Sequence, residues 1–139
     1  MKYYMFLVTL FFCAMTDILT YRIKNIILFA SAAGLLISDL LTSNSDLVSD
    51  ITAAGIVLLI LYPFYMLGLL GSGDVKLLAL TAMYTGLYSM CKIAAAGAAV
   101  SMVIALSLCI IRREKLIKTK YPFAFSLFMG AFPFWFNLF

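Results

Sequence analysis

The sequence predicts an all-α polytopic membrane protein with about six transmembrane helices, forming one membrane-embedded domain over residues 1–139. Composition is the first reason: 65% of residues are hydrophobic and 12% charged, where soluble domains hold ~45–50% apolar residues. The second is that residues 3–19, 26–41, 51–70, 75–91, 93–111 and 121–139 approach or reach the length of about 20 apolar residues that a bilayer span requires. The third is the segregation of charge. Arg22, Lys24, Lys76, Arg112, Arg113, Lys115, Lys118 and Lys120 fall in alternate loops, against Lys2 and Lys92 on the other side. Cations concentrate in cytoplasmic loops, so these loops are expected inside and both termini outside.

Each segment has its own justification. Residues 1–16, with Lys2, an apolar core and then Ala14, could pass for a signal peptide. However, Phe11 and Phe12 before Cys13 spoil a lipoprotein site, and Phe12 denies Ala14 a small partner. This segment is expected to stay as the first span, ending at Asp17 with Arg22 and Lys24 just beyond. The run 26–41 leads into a polar outer connector, Thr42 to Asp46. The run 51–70 contains Pro63, which should free a carbonyl and kink its helix. Gly71-Ser72-Gly73-Asp74 then separates it from 75–91. The run 93–111 carries Ala94-Ala95-Ala96-Gly97-Ala98-Ala99, small enough for a neighbouring helix to approach closely. The basic loop from Arg112 to Lys120 reads as a topology anchor that also favours anionic membrane lipid. Pro122 and Pro133 mark the last segment.

Absences exclude several chemistries. Without histidine there is no Ser-His dyad and no His-Glu-x-x-His zinc site. Cys13, Cys91 and Cys109 stand singly in apolar segments with no Cys-x-x-Cys, so packing is their expected role. No metal, no cofactor and no nucleic-acid partner is expected. What remains is aspartate chemistry.

Carboxylates at the edge of a hydrocarbon slab are costly and usually functional. Asp17 and Asp74 both fall on the expected cytoplasmic edge. Each has a bland explanation: Asp74 could cap the fourth helix, and Asp17 could be neutralised by Arg22 or Lys24. Together, beside a Gly-Ser-Gly break expected to free the backbone for unusual turns and with Lys76 following, they favour a catalytic pair. Two carboxyls about 3 Å apart do not both ionise readily, so they share a proton and supply a base and an acid at once. Helix dipoles favour Asp74 as the resting base and Asp17 as its protonated partner, although the pair titrates as a unit. Lys76 either anchors its helix at the headgroups or holds an acidic group of a substrate. A Ser72–Lys76 nucleophile pair ranks below these, because it leaves Asp74 without a task. Readings of another class are a carrier or channel passing ions along the aspartates, and a structural subunit using them as caps.

These residues resemble the type IV prepilin peptidases, inner-membrane aspartic proteases with a Gly-x-Gly-Asp signature, and among them the short members of tight-adherence (Flp) pilus systems. The signature is Gly71-Ser72-Gly73-Asp74-Val75-Lys76. A first family motif is matched by Asp17 followed by Arg22-Ile23-Lys24-Asn25, with Lys24 where proline is usual. A looser third motif corresponds to Tyr121-Pro122-Phe123-Ala124 and Gly130. The resemblance implies catalytic Asp17 and Asp74, with Gly71, Gly73, Lys76, Arg22 and Asn25 in support. It implies a prepilin or pseudopilin substrate whose basic cytoplasmic leader is removed beside its hydrophobic helix. The four-cysteine insert of the long, bifunctional members is missing, which points to a peptidase without N-methyltransferase activity.

Overall fold

The computed structural model describes residues 2–20, 24–41, 47–112 and 123–136. Among these residues the chain is helical, without strands: α1 (Lys2–Thr20), α2 (Asn25–Leu41), α3 (Leu47–Met66), α4 (Ser72–Arg112) and α5 (Phe123–Phe136). Large aliphatic side chains cover the outside; Leu59, for example, is 77% exposed. α3 buries only Ala53 and Val57 of its described residues. An apolar surface this extensive suits contact with lipid.

Among the described residues five continuous helical segments stand in place of the six expected spans. Segments 75–91 and 93–111 both fall within α4, which is two helical stretches meeting at a kink at Gly86, not at Lys92. Gly86 adopts φ 77° and ψ 165°, outside helical space and accessible because it lacks a Cβ. A single charge does not interrupt the helical hydrogen-bond ladder. Lys92 lays its ammonium over the Tyr88 ring instead, 4.1 Å from the centroid. As a straight rod α4 would run about 60 Å, roughly twice the hydrocarbon thickness, and the Gly86 bend redirects it. By length, α3 and the stretch Ser72–Ser107 are long enough to cross a membrane; α1, α2 and α5 are apolar but shorter.

α4 is the centre of the bundle and touches the other four helices. Val75 and the whole run 77–84 are buried against Phe6, Leu10 and Cys13 of α1, Leu28 and Leu35 of α2, and Ala124, Leu127 and Ala131 of α5. Beyond the bend, the small-residue tract does what its composition suggests. A Cβ added to Gly130 would lie 2.5 Å from the Gly97 nitrogen and 2.8 Å from its Cα, so α4 and α5 meet backbone to backbone.

Two polar links tie the remaining helices. The Lys2 ammonium lies 3.0 Å from Asp39 Oδ1 and 2.9 Å from Asp50 Oδ2, joining the ends of α1, α2 and α3. Burial works against that ammonium, but its hydrogen bonds to Asp50 and Asp39 outweigh it and hold its pKa above the ordinary lysine value. Midway, the hydroxyls of Thr9 and Ser31 are 2.7 Å apart and those of Ser31 and Tyr84 2.9 Å, linking α1, α2 and α4. Lys2 lies far from Asp39 and Asp50 in sequence, and that they find one another is visible only in three dimensions.

Candidate active site

Asp17 and Asp74 occupy the end of the bundle opposite the Lys2 cluster. Asp17 lies in the last turn of α1, 6% exposed, and its Oδ2 accepts the Ala124 backbone N–H at 2.8 Å. Ala124 is the second residue of α5, where amides have no partner within their own helix. An unused helix-end donor therefore meets a buried carboxylate. Arg22, one of the two expected neutralising cations, lies outside the described residues, and Lys24 is exposed.

Asp74 stands in the first turn of α4, which begins at Ser72, two residues before the position where Asp74 itself would be the cap. Gly71 is the capping residue: its carbonyl accepts the Val75 N–H at 3.2 Å. The Gly71 N–H in turn donates to the Asp74 carboxylate, which is half of a capping box. Asp17 is close enough to act on Asp74 electrostatically. The two acids from α1 and α4 thus share one end of the molecule, each meeting one backbone N–H. The dipole contrast expected between them is evened out, because Asp17 also faces the N-terminal end of α5.

The glycines serve a purpose other than the one expected. Positive φ occurs at Gly68 and Gly86, not at Gly71 or Gly73. Gly71 leaves room for the acid: a Cβ there would approach Asp74 Oδ2 to 2.9 Å, so the carboxylate would have to shift. The left-handed turn lies upstream at Gly68, with φ 71°.

Lys76 and Asn25 also come together, though away from the acids. Lys76 Nζ donates to Asn25 Oδ1 at 3.1 Å. Residues two apart on a helix point to nearly opposite faces, so Lys76 turns away from the side that Asp74 presents to Asp17. Ser72 and Lys76, four apart, are both exposed. Cys13 lies in the core one turn before Asp17, a packing position. Cys91 is exposed, and the side chain of Cys109 lies outside the described residues. Among the described residues, no group of three or more acidic or cysteine side chains could hold a metal.

The model of the type IV leader peptidase family matches residues 4–112 of the chain. The chain belongs to the type IV leader peptidase family. No curated protein and no solved structure matches it. The matched span includes both aspartates, Arg22, Asn25 and the whole stretch from Gly71 to Lys76, and ends before α5. Membership makes this leader peptidase a membrane-associated hydrolase acting in general on prepilin-type substrates. The Ala124 amide, which the aspartate motifs do not single out, is the contribution of α5 to the site. Its one sequence signal was the loose motif Tyr121-Pro122-Phe123-Ala124, of which the first two residues lie outside the described residues.

Proposed function

We propose that this leader peptidase is an aspartic endopeptidase that removes the short cytoplasmic leader of type IV prepilins or pseudopilins, with Asp17 and Asp74 as its catalytic pair. The observation that carries this reading is the convergence of these acids, from helices far apart in sequence, at one end of an apolar bundle. One carboxylate takes a proton from a water that attacks the scissile carbonyl. The other carboxyl gives its proton to the carbonyl oxygen, and the departing amine nitrogen is protonated as the C–N bond breaks. The backbone N–H groups of Gly71 and Ala124 orient the two carboxyls. The site lies at the cytoplasmic face of a prokaryotic inner membrane, where a leader preceding a hydrophobic helix would reach it. The enzyme cleaves without methylating the new N-terminus.

The competing reading, in which Asp74 only caps α4, has the Gly71 hydrogen bond in its favour. Asp74→Asn separates the two, because an amide oxygen keeps the cap but cannot act as a base. The purified chain, reconstituted with candidate prepilins and S-adenosylmethionine, should yield one new, unmethylated N-terminus by mass spectrometry. Asp17→Asn and Asp74→Asn should yield none while remaining folded. Intact substrates across several pilin classes, or full cleavage by Asp74→Asn, would refute the proposal.

A further inference from the structure

The pairing of Lys76 with Asn25 marks a second site, on the face of α4 turned away from the aspartates. A groove of about 320 Å³ runs between α2, α3 and α4. Asn25 and Lys76 stand at one end of it; Leu28, Leu58, Ala79, Leu80 and Met83 are among the apolar residues lining the rest. Lys76, Ala79, Leu80 and Met83 follow the i, i+3, i+4, i+7 spacing of one helix face. From Lys76 to Met83 that face runs about 10 Å inward from the bundle edge. The groove therefore begins at a cation and continues as hydrocarbon along α4.

Lining and charge select the occupant. Beyond Asn25 and Lys76 the groove is lined by apolar side chains alone, a surface suited to hydrocarbon. The partner of Lys76 is the neutral amide oxygen of Asn25, and the ion pairs found among the described residues are those of Lys2 at the other end. Lys24, exposed one residue before Asn25, brings a second cation to the same edge. A cation at the mouth of an apolar groove between helices matches an anionic lipid, its headgroup outside and its chain within.

We propose that this groove binds an anionic phospholipid, its phosphate on Lys76 and one acyl chain between α2, α3 and α4. The site is separate from the aspartate pair and does not rest on the reading of the chain as an aspartic protease. The lipid would brace the rear of α4 and so hold the helix that carries Asp74.

The test is lipid retention by the purified full chain, measured by native mass spectrometry from equal mixtures of phosphatidylglycerol and phosphatidylcholine. Wild type should retain phosphatidylglycerol about 5-fold better, the preference expected of one cation near the surface. Lys76→Gln should erase most of that preference, and Lys92→Gln should leave it intact. Ala32→Phe, which fills the groove, should reduce retention of both lipids, with melting temperatures confirming that each variant is folded. Inorganic phosphate should not displace the lipid; displacement would reduce the site to a headgroup pocket and overturn the acyl-chain assignment. Equal retention of the two lipids by wild type would overturn the proposal, as would an unchanged preference in Lys76→Gln. Slower cleavage by Lys76→Glu of a substrate bearing an acidic group, restored when that group is made basic, would assign Lys76 to the substrate and likewise overturn it.

Discussion

The two ends of the bundle use the same residue type in opposite ways. At one end Asp39 and Asp50 meet Lys2 within 3.0 Å, so buried charge is answered by charge. At the other, Asp17 and Asp74 each accept a backbone N–H and lie within electrostatic reach of one another. The first arrangement sets one ammonium between two carboxylates and leaves both of them occupied. The second leaves acid and base capacity available and is harder to explain as packing. An intramembrane carboxylate is thus informative through its partner more than through its presence.

The contrast breaks most sharply under conservative substitution. Asp74→Asn should lower leader cleavage by at least about 10³-fold, as expected for loss of a general acid–base group, with little change in melting temperature. Lys2→Met should do the reverse. Stranding Asp39, 2% exposed, should destabilise the protein by about 2–4 kcal/mol, below the full cost for a wholly buried pair because Lys2 is partly exposed. Thermal unfolding in detergent would show that loss, and the rate per folded molecule should be retained. Should Lys2→Met abolish cleavage while leaving stability intact, the division of labour between the ends is wrong.

Smaller effects sharpen the comparison. Gly130→Ala forces a Cβ against the Gly97 backbone and should cost about 1–3 kcal/mol. Because α5 also supplies the Ala124 amide, the same change should slow cleavage several-fold, linking packing to the site. Tyr84→Phe removes the hydroxyl that joins Ser31 and should cost only about 0.6 kcal/mol, the scale of hydrogen bonds between membrane helices. Its effect on cleavage should be within error in a rate assay.

Much of this was legible from residue order alone. Apolar composition and long apolar runs indicate the all-α membrane class, and Gly71-Ser72-Gly73-Asp74 with Asp17 upstream indicates the family. What stayed hidden depended on tertiary contact or on a single dihedral. Lys92 suggested a loop, yet the helix runs through it with its ammonium over Tyr88, while Gly86 gave no sign of the bend it makes. Gly71 looked like a turn residue and is instead a space residue for the Asp74 carboxylate. The Ala124 N–H could not have been chosen from sequence, because a backbone donor carries no residue type. Lys76 and Asn25 were grouped with the acids through their motifs, yet they contact each other across α2 and α4.

Whether Asp17 and Asp74 act as one unit is decided most directly by a double-mutant cycle on leader cleavage. Rates would be compared for wild type, Asp17→Asn, Asp74→Asn and the double variant. Residues that work only together lose nearly everything at the first substitution, so the three variants should be equally slow within a few-fold. Losses that multiply in the double variant, or a single variant that keeps most of the wild-type rate, would contradict the pair.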